Sequence, residues 1–151
     1  MVGQRSRYAV ALVIVLVLFP LAGCYLASGE RMIPETLSPD GIGQTSAQFV
    51  NADGTTEREI LVGQPAILVE LDVAASAEWG ELILEFLAPD GSTMLTVESR
   101  YGRAGRGSAI VVSDEAGQVR YRVTSREARN GSYTIRYRTQ AVPTPTPAAT
   151  P

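Results

Sequence analysis

The fold of this chain is decided by a stretch near its C-terminal end, Asn130-Gly-Ser-Tyr-Thr-Ile-Arg-Tyr-Arg138. Within it, apolar Tyr133, Ile135 and Tyr137 alternate with polar residues, two of which are arginines. Because successive side chains of a strand point to opposite faces, this alternation predicts a strand with one face in the core and the other in solvent.

The same period of two recurs upstream, between groups of turn-forming residues. Apolar and charged residues alternate over residues 67–73, 82–86 and 119–123, while turn-forming residues lie at 51–54, 63–65, 89–91, 115–117 and 130–131. Many short alternating segments separated by turns are typical of an all-β protein. We therefore predict an antiparallel, jelly-roll-like β-sandwich of about seven or eight strands over residues 44–139.

The first residues predict export from the cytoplasm. Arg5 and Arg7 precede an apolar run over residues 8–19, which is the pattern of a secretory signal. The rival interpretation is a membrane-spanning helix. Residues 8–23 number only 16 and include Pro20, whereas a span needs about 20 apolar residues.

The signal ends in Leu21-Ala22-Gly23-Cys24, which resembles the lipobox of bacterial lipoproteins. The resemblance implies that a dedicated peptidase recognises Leu21, Ala22 and Gly23, cuts before Cys24, and leaves that cysteine lipidated. The chain would then be extracytoplasmic, held to the bacterial cell membrane, or to an outer membrane if the host has one. An ordinary signal peptide with a chance cysteine is the alternative.

The segments on either side of the predicted sandwich lack a regular pattern. Prolines and glycines interrupt residues 24–43, which predicts a lipidated N-terminus and a flexible tether about 25 Å long. Proline alternates with threonine in residues 140–151, which predicts a disordered tail of extended character. With the signal peptide at 1–23, these boundaries divide the whole chain.

Composition excludes several classes of function. The chain has no histidine and no lysine, since all 13 basic residues are arginine, and it has one cysteine. Serine–histidine and cysteine–histidine catalysis and histidine metal ligation are therefore excluded. We predict no catalytic residues, no metal and no cofactor. Residues 24–151 carry 16 acids against 11 arginines, which argues against nucleic acid as a partner.

Charge is segregated along the chain. Residues 24–99 hold 13 acids and two arginines, whereas residues 100–138 hold nine arginines and three acids. We predict that acidic early strands lie beside basic late strands, because opposite charges across a ladder are stabilising. The alternative is a basic surface for an anionic glycan, teichoic acid or lipid headgroups.

Three segments in order resemble the bacterial pre-peptidase C-terminal domain, a small β-sandwich. These are the opening strand over residues 62–72, the apolar strand with its Pro-Asp-Gly turn over 82–92, and a closing pair over 116–123 and 130–137. The resemblance implies a non-catalytic module that binds polysaccharide or protein. Members usually follow a secreted peptidase, which this chain does not contain.

The most site-like stretch is Arg100-Tyr-Gly-Arg-Ala-Gly-Arg-Gly-Ser108. Arg100, Arg103 and Arg106 suit bidentate binding of carboxylate or phosphate, and Tyr101 can stack on a sugar. The alternative is a solvated loop between two strands, in which glycine serves the turn. For Trp79 we expect packing in the core or at a strand edge rather than a ligand platform.

Together these features predict a non-enzymatic, membrane-anchored extracytoplasmic lipoprotein. Its sandwich would bind a partner in the cell envelope, either a polysaccharide or a protein. A structural accessory subunit of an envelope or export complex, without a small ligand, is the alternative.

Overall fold

The computed structural model describes residues 24–33 and 38–140. These residues form seven strands, all paired antiparallel, so the predicted all-β antiparallel fold is confirmed. The strands are β1 (Leu26–Ser28), β2 (Arg31–Ile33), β3 (Ile42–Leu61), β4 (Leu68–Leu87), β5 (Thr93–Arg100), β6 (Gly105–Val112) and β7 (Gln118–Gln140). The described part of the chain contains no helix long and apolar enough to cross a membrane.

The three long strands each contribute to two layers. The C-terminal half of β7 pairs with the first halves of β3 and β4, giving the order β6-β4-β7-β3-β2 in the first layer. The N-terminal half of β7 pairs with their second halves, giving β5-β4-β7-β3-β1 in the second layer. Tyr133 of the first layer meets Tyr121 of the second, with ring centroids 6.2 Å apart, so the two layers enclose one core.

All three long strands bend between the layers at the same level. Register shifts fall between Ala52 and Gly54 in β3 and between Trp79 and Glu81 in β4. In β7 the bend uses Glu127 and Asn130, both with positive φ. Two of the predicted turns, at 51–54 and 130–131, are therefore bends within continuous strands, because the bulges bend each strand without ending it. The predicted turns at 63–65, 89–91 and 115–117 do join separate strands.

The core is built from the alternating apolar residues that the sequence identified. Leu82, Leu84 and Phe86 of β4 are fully buried, as are Tyr121 and Val123 of β7. The Phe86 and Tyr121 rings stack with centroids 5.5 Å apart. Burying such side chains stabilises a fold by roughly 1.5–3 kcal/mol each.

The outer faces carry the predicted pairing of early acids with late arginines. Arg122 of β7 lies between two glutamates, 2.9 Å from Glu57 of β3 and 3.6 Å from Glu85 of β4. In the first layer, Asp72 of β4 is in register with Arg136 of β7. The pairing prediction is confirmed. Each exposed pair contributes only a few tenths of a kcal/mol, but together they fix which strands are neighbours.

The structure differs from the sequence prediction over residues 24–33. We predicted a flexible tether there, but β1 and β2 both pair with β3. The physical reason is a set of contacts at the open end of the core. Arg58 of β3 lies over the Tyr25 ring, 5.8 Å from its centroid, and forms an ion pair with Glu30. Burial raises the pKa of the Tyr25 hydroxyl, which keeps it neutral in this position.

Candidate ligand groove at the bend

The structure does not bring the three predicted arginines together. Arg100, at the end of β5, forms ion pairs with Glu98 and with Glu81, the latter at 3.4 Å. Arg106 lies on β6, in a hollow with Asp72 and Arg136 on the outer face of the first layer. Arg103 follows the turn between β5 and β6. The three arginines therefore do not form a single cluster for an anionic ligand. Their role in binding stays a prediction.

A groove of about 590 Å³ lies instead at the bend, between β4, β7 and the β5–β6 turn. Its walls carry two aromatic side chains, Trp79 and Tyr101, which are 65% and 71% exposed. We expected Trp79 to pack in the core or at a strand edge, and core packing is wrong. In β4 the buried positions change from odd numbers up to Ala77 to even numbers from Leu82, so Trp79 falls where the strand leaves one layer for the other.

Gly80 permits this bend because other residues could not adopt its backbone conformation without strain. Its φ is +72°, and a Cβ at this position would lie 2.4 Å from the carbonyl oxygens of both Arg126 and Glu127. This close approach of β4 to β7 forms the floor of the groove. The neighbouring Trp79 is in register with Arg129.

Tyr101 is held in a strained conformation. It forms a two-residue turn with Gly102, in which both residues have positive φ, +46° and +78°. Backbone hydrogen bonds of 3.2 and 2.9 Å between Arg100 and Arg103 close the turn. This is the conformation of a type I′ turn, for which asparagine or glycine is preferred at the first position. A bulky residue with positive φ is uncommon, and such strain is concentrated at functional sites.

The charges in the groove balance. Arg126 donates to Glu81 at 3.0 Å, and the backbone N–H of Glu127 donates to Asp53 at 3.1 Å. With Arg129, the lining of the groove contains two arginines and two glutamates, so their formal charges cancel. Arg129 has no ion pair with any described residue, so its guanidinium can donate to a ligand.

The groove offers side chains that can bind a ligand. Its indole and phenol rings can stack on a ligand. Its guanidinium groups can donate hydrogen bonds to the ligand, and its carboxylates can accept them. Among residues 24–33 and 38–140 there is no group of three acidic, cysteine or histidine side chains placed to hold a metal ion. Cys24 is exposed at the start of the described chain, whereas Leu21, Ala22 and Gly23 lie outside the described residues, as does the predicted tail from 141 onward.

No family model matches the chain, and no curated protein matches it. Among solved structures, the xylan-binding domain CBM22-1 from Paenibacillus barcinonensis Xyn10C is 11% identical, with a TM-score of 0.41, over 78% of this chain and 87% of that one. The carbohydrate-binding module CBM6cm-2 from Cellvibrio mixtus lichenase 5A, in complex with cellotriose, is 13% identical, with a TM-score of 0.37, over 80% of this chain and 100% of that one.

A further similar structure is the enzymatically active domain of bacteriophage CBA120 tailspike protein 4. It is 12% identical with a TM-score of 0.35, and this chain covers only 19% of its length, with 77% of this chain aligned. At these identities and TM-scores, the similarities say nothing about what this chain binds. The fold and the groove define its class as an antiparallel all-β sandwich with exposed aromatic side chains at the bend between its layers.

Proposed function

We propose that this chain is a non-enzymatic extracytoplasmic lipoprotein, anchored by lipid on Cys24, whose sandwich binds a neutral polysaccharide of the cell envelope. The observation that carries the proposal is the pair of exposed aromatic side chains, Trp79 and Tyr101, on one groove. The lipid anchor is supported by the sequence Leu21-Ala-Gly-Cys24 after a basic and apolar signal.

The chemistry of the groove favours a neutral sugar over an anionic one. Sugar rings present C–H groups on their faces and hydroxyls at their edges, which suits flat aromatic side chains flanked by hydrogen-bonding groups. Because the lining arginines are balanced by Glu81 and Glu127, the groove has no excess positive charge to attract an anion.

The carboxylates of the groove are arranged for binding rather than for hydrolysis. Glycosidases need one carboxyl group that donates a proton and a second that acts as nucleophile or base. Glu81 instead accepts from Arg126 at 3.0 Å and lies 3.4 Å from Arg100. Its carboxylate is therefore engaged by two guanidinium groups, and its remaining acceptor positions can take hydrogen bonds from sugar hydroxyls.

Tyr101→Asn is expected to stabilise the protein and weaken polysaccharide binding together. The substitution places the preferred Asn-Gly pair in the type I′ turn and relieves a strain of about 1 kcal/mol, which should raise Tm by about 4 °C. It also removes one of the two aromatic rings. Calorimetric melting gives Tm, and electrophoresis in gels containing soluble glucan, xylan, galactan or acidic polygalacturonate gives binding.

The control for this change is Tyr101→Phe, which keeps both the ring and the strained backbone. It should leave Tm nearly unchanged, and it should leave binding to the neutral polymer that retards the wild-type protein nearly unchanged. Retardation by none of the neutral polymers, or by polygalacturonate alone, would remove the neutral-polysaccharide proposal. A protein captured by crosslinking in native membranes, with no glycan bound, would favour the accessory-subunit alternative.

Cys24→Ser is expected to release the protein from membranes or leave it uncut. The sulfur is the only thiol in the chain, so the substitution removes the attachment point of the lipid. Fractionation of cells and the intact mass of the recovered protein report both outcomes. A variant that is still cut at the same bond and still sediments with membranes would show that the lipoprotein assignment is wrong.

A further inference from the structure

We propose that the β1–β2 edge of the sandwich lies directly on the surface of the lipid bilayer, without a tether between lipid and domain. This inference rests on the lipid anchor of the proposed function. It concerns a surface rather than the groove: the exposed apolar side chains Leu26, Ile33 and Val50, with Met32 beside them.

The first argument is the length of chain between the anchor and the domain. Tyr25, the residue after Cys24, packs against the core, and β1 begins at Leu26. The carbonyl oxygen of Cys24 lies so close to β3 that a Cβ on Gly54 would approach it to 2.5 Å. At about 3.3 Å per residue, no more than one residue's length separates the anchor from the folded edge. Acyl chains on Cys24 would therefore enter the bilayer immediately beside β1.

The second argument is the character of that edge. Leu26, Val50 and Ile33 are 70%, 53% and 50% exposed, respectively. An open edge strand in water is normally protected by charge instead. Apolar side chains in this position match the boundary between headgroups and acyl chains. Arg31, the first residue of β2, has no ion pair with any described residue and can meet an anionic headgroup.

The strand order gives this orientation a consequence for the groove. β1 and β5 lie at opposite edges of the second layer, separated by β3, β7 and β4. Four strand spacings of about 4.8 Å place the β5–β6 turn roughly 19 Å from the anchored edge. Tyr101, on that turn, would therefore lie well away from the anchored edge, within reach of the surrounding envelope.

The test uses the native lipidated protein in vesicles that contain phospholipids brominated near the top of the acyl chain. Trp79 is the only tryptophan of the chain, so Trp79→Phe removes the background fluorescence. Ile33→Trp and Ile110→Trp are then made separately in that variant. These two positions are matched, because both are about half exposed, at 50% and 54%, on opposite edge strands of the first layer.

We expect the bromolipids to quench most of the fluorescence of the tryptophan at position 33 and almost none of that at position 110. In the protein without substitutions, they should quench almost none of the Trp79 fluorescence. Flotation of the same vesicles shows separately whether the protein is anchored. Protein that floats but is unquenched at position 33 would overturn the docked edge and leave the lipid anchor standing. Protein that does not float would overturn the anchor and the docked edge together. A dimer in detergent with position 33 already shielded would assign the edge to a second copy of the chain.

Discussion

Trp79→Ala is expected to weaken polysaccharide binding strongly while leaving the fold intact. The indole is 65% exposed, so its removal costs little packing, and surface substitutions usually change stability by no more than about 0.5 kcal/mol. For binding, the same ring lines the groove. An aromatic residue central to a binding surface contributes about 2 kcal/mol or more, so affinity should fall by about 30-fold at least.

Calorimetric titration measures this loss. The titrant is an oligosaccharide of the neutral polymer that retards the wild-type protein in gels. Met94→Ala is the matched control, because Met94 is a half-exposed apolar residue on β5 that does not line the groove. Trp79→Phe should fall between the wild type and the alanine variant, since it keeps a smaller ring. Equal affinity of wild type and Trp79→Ala, with an unchanged melting temperature, would exclude the groove as the binding site.

The strands could be predicted from the sequence because their signal is local. Alternation in 82–86, 119–123 and 133–137 gives the buried face of each strand without any knowledge of its neighbours. Segregated charge added information about neighbours, and Arg122 between Glu57 and Glu85 shows why. Bends were taken for turns at 51–54 and 130–131, since Asp-Gly and Asn-Gly favour left-handed backbone in a bulge as well as in a hairpin.

The groove could not be assembled from the sequence, because its parts come from β4, β7 and the β5–β6 turn, which only the tertiary fold brings together. One local signal was available. The apolar residues change from odd numbers over 69–77 to even numbers over 82–86, and this change of phase indicates a bulge between them, where Trp79 and Gly80 lie. The ion pair of Arg100 with Glu81 could not be predicted for the same reason, because Glu81 lies on β4, a different strand.

Gly80→Ala is expected to destabilise the fold severely. The new Cβ would lie 2.4 Å from two backbone carbonyl oxygens of β7, and backbone cannot move aside as a flexible side chain can. The positive φ adds about 1 kcal/mol of strain for a residue other than glycine. We expect a total loss of at least about 3 kcal/mol in the free energy of unfolding, which is in the range of severe core substitutions.

Gly91→Ala separates these two causes. Gly91 also has a positive φ, +85°, but a Cβ there would meet nothing within 4 Å, so this variant reports the conformational strain alone, about 1 kcal/mol. Urea unfolding of both variants gives the difference, which is the cost of separating β4 from β7. Equal losses in the two variants would mean that β4 and β7 do not approach each other closely at the bend. A larger loss for Gly80→Ala, with weakened polysaccharide binding in the protein that remains folded, would show that this approach also positions Trp79.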